Sequence, residues 1–301
     1  MQRRMFMATL AAAAASTAAP ARSAAGAGPG ARDLAPLRAA LAACEHDSGG
    51  RLGLLLHDTG DGTRLAWRGD ERFPMCSTFK WLLAAAVLAR CDAGKDKLAR
   101  RIAVASTDLL PNSPFSQTRA GHDASVDELC EAAITRSDNA AANLLLPGVG
   151  GPAGLTRFLR GIGDARTRLD RTETALNSAI PGDPRDTSTP VAMAGDLEAI
   201  VLGSVLAPPS RARLLAWLRA NQTGGARLRA GLPAGWRVGD KTGSGANGTT
   251  NDVAIIDQVG HGQVGRAPVL LACFLTGSSL DGDGRDAILA RVGAAVGSAF
   301  A

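Results

Sequence analysis

Residues 77–90 carry the sequence STFKWLLAAAVLAR, the stretch of this chain that most directly decides its fold. The run after Lys80 is apolar on all sides, which is typical of a helix that is buried all round. We therefore predict a central helix that begins at Ser77. Side chains at positions i and i+3 lie on one face of a helix, so the Ser77 hydroxyl and the Lys80 ammonium are expected to touch.

On the N-terminal side of this helix, the sequence pattern indicates a helix followed by strands. Apolar residues recur at helical spacing from Leu34 to about Cys44. Two strand-like runs follow, Arg51–Asp58 and Thr63–Arg68, and the turn signal Gly60-Asp61-Gly62 joins them. This segment therefore predicts a helix that leads into a β-hairpin.

The C-terminal part of the chain again combines strands with a helix. Three strand-like runs follow residue 230, namely Trp236–Thr242, Asp252–Val259 and Pro268–Thr276. A last helix is predicted from about Asp286 to Phe300. Because strands occur at both ends with helices between them, we predict an α/β layer built from both termini and an all-helical insert.

The composition indicates a globular protein without a nucleic-acid partner. The chain has 301 residues, of which 46% are hydrophobic and 20% are charged, and this is enough to bury a large core. The formal net charge is +5, but the basic residues are scattered single arginines rather than blocks. Lysine occurs at only four positions. At two of them, Lys80 and Lys241, we interpret the lysine as a functional residue whose compact ammonium group arginine cannot replace.

The N-terminal residues are typical of an export signal. Arg3 and Arg4 precede Phe6 and an alanine-rich stretch that is too short to span a membrane. We predict a cleaved signal over residues 1–25 that resembles the twin-arginine type, although a general secretory signal has a similar pattern. The protein is expected to be periplasmic or secreted, with no membrane anchor.

The cysteines and histidines do not predict a metal site. Neither residue type shows the ligand spacing of zinc proteins, so no metal is expected. The cysteine count of five is odd, so at least one thiol is unpaired within a monomer, and the sequence leaves the connectivity open.

Three short motifs place chemistry-bearing side chains on a helix, a loop and a strand. They are Ser77-Thr78-Phe79-Lys80, Ser137-Asp138-Asn139 and Lys241-Thr242-Gly243. Each motif alone is weak, because a serine at a helix start with a later lysine is common. Together, and in this order, they resemble the signature of the serine β-lactamases and penicillin-binding proteins.

A fourth motif narrows the resemblance to class A serine β-lactamases. Residues 171–177, RTETALN, are similar to the omega-loop pattern of that class, and the match extends over nearly the whole mature chain. The resemblance implies an α/β plus all-α fold, with a five-stranded antiparallel sheet flanked by helices and a helical insert. It divides the chain into an α/β domain and an all-α domain. The α/β domain comprises residues 33–70 and 228–301, and the all-α domain comprises residues 71–227 with the omega loop at 168–187.

The resemblance also implies catalytic roles. Ser77 would attack the β-lactam carbonyl, with the backbone N–H groups of Ser77 and Ser244 as the oxyanion hole. Ser137 would pass a proton to the departing nitrogen, and Glu173 with Asn177 would hold the hydrolytic water. The base that deprotonates Ser77 in acylation stays open between Lys80 and Glu173.

The expected partner is a small-molecule β-lactam bound by a monomer without a cofactor. The resemblance implies substrate contacts from Asn139, Asn177, Lys241, Thr242 and Ser244. A cation is expected to complete the site that binds the substrate carboxylate. We predict that this cation is Arg227, and Arg285 is the alternative. Arg171 is expected to pair with Asp186.

Departures from the family pattern leave the preferred β-lactam open. Asn112 occupies a position that is often an aromatic wall of the active site, and Gly245 opposite Cys76 removes a disulfide found in some members. Cys130 matches half of a common helix–helix disulfide, but its expected partner position is Ala84. Ser244 and Gly245 resemble the residues of members that hydrolyse broad-spectrum cephalosporins.

Three other functions remain as alternatives to the β-lactamase. They are a D-alanyl-D-alanine peptidase, a non-hydrolysing β-lactam sensor, and a serine amidase on the same scaffold. Glu173 together with Asn177 argues against the peptidase and the sensor.

Overall fold

The computed structural model of the protein describes residues 32–258 and 267–300. The predicted export signal lies outside these residues. Within them, five strands form one antiparallel sheet in the order β2-β1-β9-β8-β7, where β1 is Arg51–Asp58, β2 Arg64–Trp67, β7 Arg237–Gly245, β8 Thr249–Asp257 and β9 Val269–Thr276. The predicted fold class is confirmed.

The helices of the described residues flank this sheet and fill the middle of the chain. They are α1 (Ala35–Ser48), α2 (Phe79–Asp92), α3 (Pro114–Thr118), α4 (Val126–Thr135), α5 (Asn139–Val149), α6 (Gly151–Gly161), α7 (Pro190–Leu197), α8 (Pro208–Arg219), α9 (Leu228–Gly231) and α10 (Gly282–Phe300). Three short 3₁₀ turns cover Cys76–Thr78, Ser106–Asp108 and Ala175–Ser178, and a π-helical turn covers Glu198–Leu202. Two small two-stranded sheets pair β3 (Phe73–Pro74) with β6 (Thr187–Ser188) and β4 (Arg101–Val104) with β5 (His122–Ser125).

The large sheet is buried on both faces. Successive side chains of a strand point to opposite faces, and along β8 and β9 they join two different hydrophobic clusters. Ala254 and Leu271 pack with α1 and α10, whereas Ile255 and Leu270 pack with α2 and the helices around it. Because both faces are buried, the sequences of these strands are continuous apolar runs.

The central helix α2 is buried along most of its length, as the sequence predicts. Every residue from Phe79 to Leu88 is buried. The α-helix starts two residues later than predicted, because a 3₁₀ turn at Cys76–Thr78 precedes it. Ser77 therefore lies in a tight turn immediately before the helix rather than within its first α-helical turn.

The hairpin formed by β7 and β8 is longer than the sequence predicts. Strand β7 continues to Gly245 and β8 begins at Thr249, so that Ser244 pairs with Thr250. The sequence predicts the end of β7 at Thr242, three residues before its end at Gly245. Here Gly243 is required by a close approach, since a Cβ on it would lie 2.7 Å from the Met75 carbonyl oxygen.

All five cysteines lie in the described part of the chain, and each carries a free thiol. In that same part, the structure contains no helix both long and apolar enough to cross a membrane. The division into two domains stays a prediction.

Candidate active site

The site forms where the turn before α2, the loop before α5, strand β7 and the 171–187 loop meet. The turn that carries Ser77 is held against the sheet by Asn251 on β8. Its side-chain amide donates to the carbonyl oxygens of Pro74 and Met75 at 2.8 Å and 3.1 Å. Strand β7 thus lies directly beside the nucleophile turn, where a Cβ on Gly243 would be 3.2 Å from the Ser77 nitrogen.

The Ser77 hydroxyl contacts a carboxylate that is itself rigidly held. Ser77 Oγ donates to Glu173 Oε1 at 3.0 Å, and Asn177 Nδ2 donates to Glu173 Oε2 at 2.5 Å. Asn143 on α5 fixes the backbone of Glu173, because its amide accepts from Glu173 N at 2.9 Å and donates to Glu173 O at 2.8 Å. Glu173 is 5% exposed, so the carboxylate is desolvated and aimed at the serine.

Lys80 is fully buried beside the same carboxylate. Its Nζ lies 2.9 Å from Glu173 Oε1 and donates to Ser137 O at 2.8 Å and to Asn139 Oδ1 at 2.6 Å. These three nearest acceptors match the three N–H bonds of an ammonium group. Burial lowers the pKa of Lys80 from its ordinary value, and the Glu173 carboxylate opposes that effect.

Lys241 approaches the Ser137 hydroxyl from the opposite side. Its Nζ donates to Ser137 Oγ at 3.0 Å and to Thr242 O at 2.8 Å. Lys80 Nζ also reaches Ser137 Oγ, at 3.4 Å. Burial, reinforced by the charge of Lys80, lowers the pKa of Lys241 well below its ordinary value. The Ser137 hydroxyl therefore lies between two amines that can exchange a proton with it.

The loop that carries Glu173 is closed by the predicted ion pair. Arg171 Nε donates to Asp186 Oδ2 at 2.6 Å. Asp186 Oδ1 accepts from the backbone nitrogens of Asp170 and Arg171 at 2.7 Å and 2.9 Å. The carbonyl of Asp186 accepts from Met75 N at 2.9 Å, which ties the loop to the nucleophile turn.

Arg227 lies behind strand β7. It is 8% exposed, and its Nε donates to Asp286 at 2.8 Å. Its Nη1 donates to the carbonyl oxygens of Gly243 and Asn251, and its Nη2 donates to Ser244 Oγ at 2.7 Å. The predicted substrate cation thus reaches the site through the Ser244 hydroxyl. Arg285, the substitute, donates to Thr250 Oγ1 at 3.0 Å.

Two neighbours of the predicted residues were not identified from the sequence. Asn143 lies four positions after Asn139, one helical turn away, and that spacing was the signal available for it. Thr223 shares a hydrogen bond with Thr242 between their hydroxyl oxygens, and no local pattern indicates this contact.

Asp138, at the centre of the second motif, has a structural role. Its carboxylate caps α5 by accepting from Ala141 N at 2.8 Å. It also accepts from the backbone nitrogens of Phe115 and Ser116, each at 2.9 Å. These contacts fix the segment between Ser137 and Asn139 against α3.

Comparison with known proteins identifies close relatives of this chain. The "Beta-lactamase enzyme family" is matched over residues 36–300. The chain is 48% identical to β-lactamase CTX-M-8 of Citrobacter amalonaticus, over 83% of this chain and 84% of that protein. It is also 48% identical to the carbapenem-hydrolyzing β-lactamase KPC of Klebsiella oxytoca, over 83% of this chain and 84% of that protein.

Solved structures of β-lactamases are also similar to this chain. An ancestral class A β-lactamase is 59% identical, with a TM-score of 0.85, and the alignment covers 88% of this chain and all of that one. A β-lactamase from Xanthomonas campestris is 50% identical with the same TM-score, over 88% of this chain and 97% of that one.

Proposed function

This chain belongs to the class A serine β-lactamases and hydrolyses the amide bond of the β-lactam ring, and we propose that Ser77 is the nucleophile of that reaction. The observation that carries the proposal is the buried contact between Ser77 Oγ and Glu173 Oε1, with Lys80 Nζ on the same carboxylate oxygen. A serine hydroxyl needs a base to act as a nucleophile near neutral pH. The contact supplies that base.

In acylation, Ser77 Oγ attacks the lactam carbonyl as its proton passes to Glu173. The direct hydrogen bond to Glu173 supports this path, and the three acceptors around Lys80 favour its ammonium form. Lys80 then stabilises negative charge beside the nucleophile rather than removing the proton. The alternative base, neutral Lys80, remains an outcome of the kinetic test below.

The developing oxyanion is held by the backbone N–H groups of Ser77 and Ser244. The close packing of Gly243 on the nucleophile turn supports this pair, because it brings β7 alongside Ser77. A donor of this kind contributes roughly 3 kcal/mol to the transition state in other acyl-transfer enzymes. When the C–N bond breaks, Ser137 passes a proton to the departing nitrogen and regains one from Lys80. Lys80 then takes the Ser77 proton from Glu173, so that Glu173 enters deacylation as a carboxylate.

In deacylation, Glu173 activates a water molecule that Asn177 helps to hold. The Asn177 amide already contacts Glu173 Oε2, so a water bound to both would face the Ser77 ester. This step makes the protein a β-lactamase rather than a peptidase or sensor that a β-lactam leaves acylated.

The substrate carboxylate is bound by Lys241, Thr242 and Ser244, and Asn139 contributes a further substrate contact. Arg227 supports this site by fixing the Ser244 hydroxyl, and its charge adds to the local positive potential. We also propose export after removal of residues 1–25, action as a monomer, and the two-domain division described above.

Time-resolved intact-mass spectrometry with excess benzylpenicillin tests the proposal. The wild-type protein is expected to consume the lactam over many turnovers with little lasting adduct. The Ser77→Ala variant should neither gain mass nor consume substrate. A persistent one-to-one adduct on the wild-type protein would favour the peptidase or sensor, and turnover by Ser77→Ala would remove Ser77 from the nucleophile role.

A further inference from the structure

Ser137 holds a backbone conformation that a serine seldom adopts. Its φ is +54°, in the left-handed region that favours glycine. Such a residue keeps its conformation when surrounding contacts hold it there. Its carbonyl oxygen has two such contacts, Lys80 Nζ at 2.8 Å and Asn112 Nδ2 at 3.0 Å.

Asn112 is joined to the Ser137 segment at a second point. Its own carbonyl oxygen accepts from Asn139 N at 3.0 Å. The preceding carbonyl, Pro111 O, accepts from Asn139 Nδ2 at 2.7 Å. Asn112 itself has φ +57°, a conformation that asparagine tolerates better than most residues. The backbone of Asn112 is therefore anchored in a position that directs its side-chain amide toward Ser137.

The two donors on the Ser137 carbonyl differ in how they respond to the reaction. Lys80 also contacts Glu173, and the charge of that carboxylate changes when it takes the Ser77 proton. The contacts of Lys80 must therefore readjust during acylation. The amide of Asn112 carries no charge and does not titrate, so its hydrogen bond persists through the same step.

We propose that Asn112 is a positioning residue for acylation. It holds the carbonyl of Ser137, and through it the Ser137 hydroxyl between Lys80 and Lys241, as the lysine contacts change. This role rests on the function proposed above for Ser137, the transfer of a proton to the departing lactam nitrogen. Asn112 acts through Ser137 and touches none of the reacting atoms.

Two substitutions separate the hydrogen bond from the backbone strain. Asn112→Gly removes the amide and accepts the positive φ without cost. Asn112→Asp keeps the shape but replaces the donor with an acceptor facing the Ser137 carbonyl. Rapid-quench mass spectrometry with benzylpenicillin under single-turnover conditions measures acylation and deacylation separately, and thermal melting reports folding.

We expect both variants to slow acylation, Asn112→Gly by about fivefold to tenfold, the range of one lost hydrogen bond. Deacylation should stay within about twofold of wild type, because it uses Glu173 and Asn177 rather than Ser137. The proposal fails if Asn112→Gly acylates at the wild-type rate, or if acylation and deacylation fall in parallel.

The Ser137→Ala variant separates this proposal from the one it rests on. If Ser137→Ala acylates slowly and Asn112→Gly does not, only the role of Asn112 is overturned. If Ser137→Ala acylates at the wild-type rate, the proton-transfer role of Ser137 fails and the role of Asn112 fails with it. Slow acylation by both variants with intact deacylation supports both.

Discussion

The Ser77 hydroxyl donates a hydrogen bond to Glu173 Oε1 at 3.0 Å, although 96 residues separate the two in the chain. The contact joins the turn before the central helix to a loop that carries its own ion pair. Because Lys80 shares the same carboxylate oxygen, the three side chains form one electrostatic unit. Substitution of any one of the three should change the hydrogen bonds and the charge balance of the other two.

Replacement of Glu173 by glutamine should uncouple the two halves of the reaction. The amide is nearly isosteric but cannot accept a proton from water, so deacylation should fall by about 10²-fold to 10⁴-fold. Intact-mass spectrometry with benzylpenicillin should then show the acyl-enzyme as the main species. Glu131→Gln on the exposed face of α4 is the matched control and should turn over normally.

The same variant separates the two possible bases of acylation. If Glu173 takes the Ser77 proton, adduct formation by Glu173→Gln should also slow. An adduct that forms at the wild-type rate would instead assign that step to Lys80. Rapid turnover without adduct would remove Glu173 from the deacylation role.

Replacement of Arg227 by alanine should weaken substrate binding through Ser244. The variant loses the hydrogen bond to Ser244 Oγ and a nearby positive charge, so we expect KM for benzylpenicillin to rise about fivefold to tenfold with a smaller change in kcat. Steady-state kinetics measure both. Arg285→Ala is the parallel variant, and a larger effect there with unchanged KM in Arg227→Ala would assign the carboxylate site to Arg285.

Replacement of Asp186 by asparagine should loosen the loop that carries Glu173. The carboxylate is almost fully buried and accepts from Arg171 and two backbone nitrogens. Breaking a buried ion pair costs about 3–5 kcal/mol, so thermal melting should show a clear loss of stability. The rate of deacylation should fall more than the rate of acylation, because the loop positions Glu173 and Asn177. The control is Asp183→Asn, which removes only the ion pair of a half-buried carboxylate with Arg185 and should change stability and deacylation far less.

Most of the candidate site could be predicted from the sequence because its motifs lie on rigid elements. Ser77 and Lys80 share the start of one helix, and Lys241 and Thr242 share one strand. The loop pattern around Glu173 completed the site. The structure brings these residues together at one point of the fold.

Other features could not be predicted because they depend on distant contacts. The sequence predicts Arg227 as the substrate cation but does not predict its burial, which depends on Asp286, 59 residues later in the chain, and on the Asn251 carbonyl. The role of Asn112 depends on two residues with positive φ, and no periodicity encodes that conformation. The end of β7 was predicted too early because the need for Gly243 arises from its packing on Met75.

Stability should fall with rising pH through one buried carboxyl group, Asp196 on α7. Burial, and then the charge of Asp164, raise its pKa well above the ordinary value, while Arg160 opposes the shift. The folded protein therefore keeps a proton that the unfolded chain has released, so the free energy of unfolding is highest below the ordinary carboxyl pKa and decreases as pH rises toward the raised pKa. Asparagine mimics the protonated acid, so Asp196→Asn should melt at a higher temperature than wild type at pH 8 and at nearly the same temperature at pH 4. Parallel melting curves across pH 4–8 would contradict this assignment.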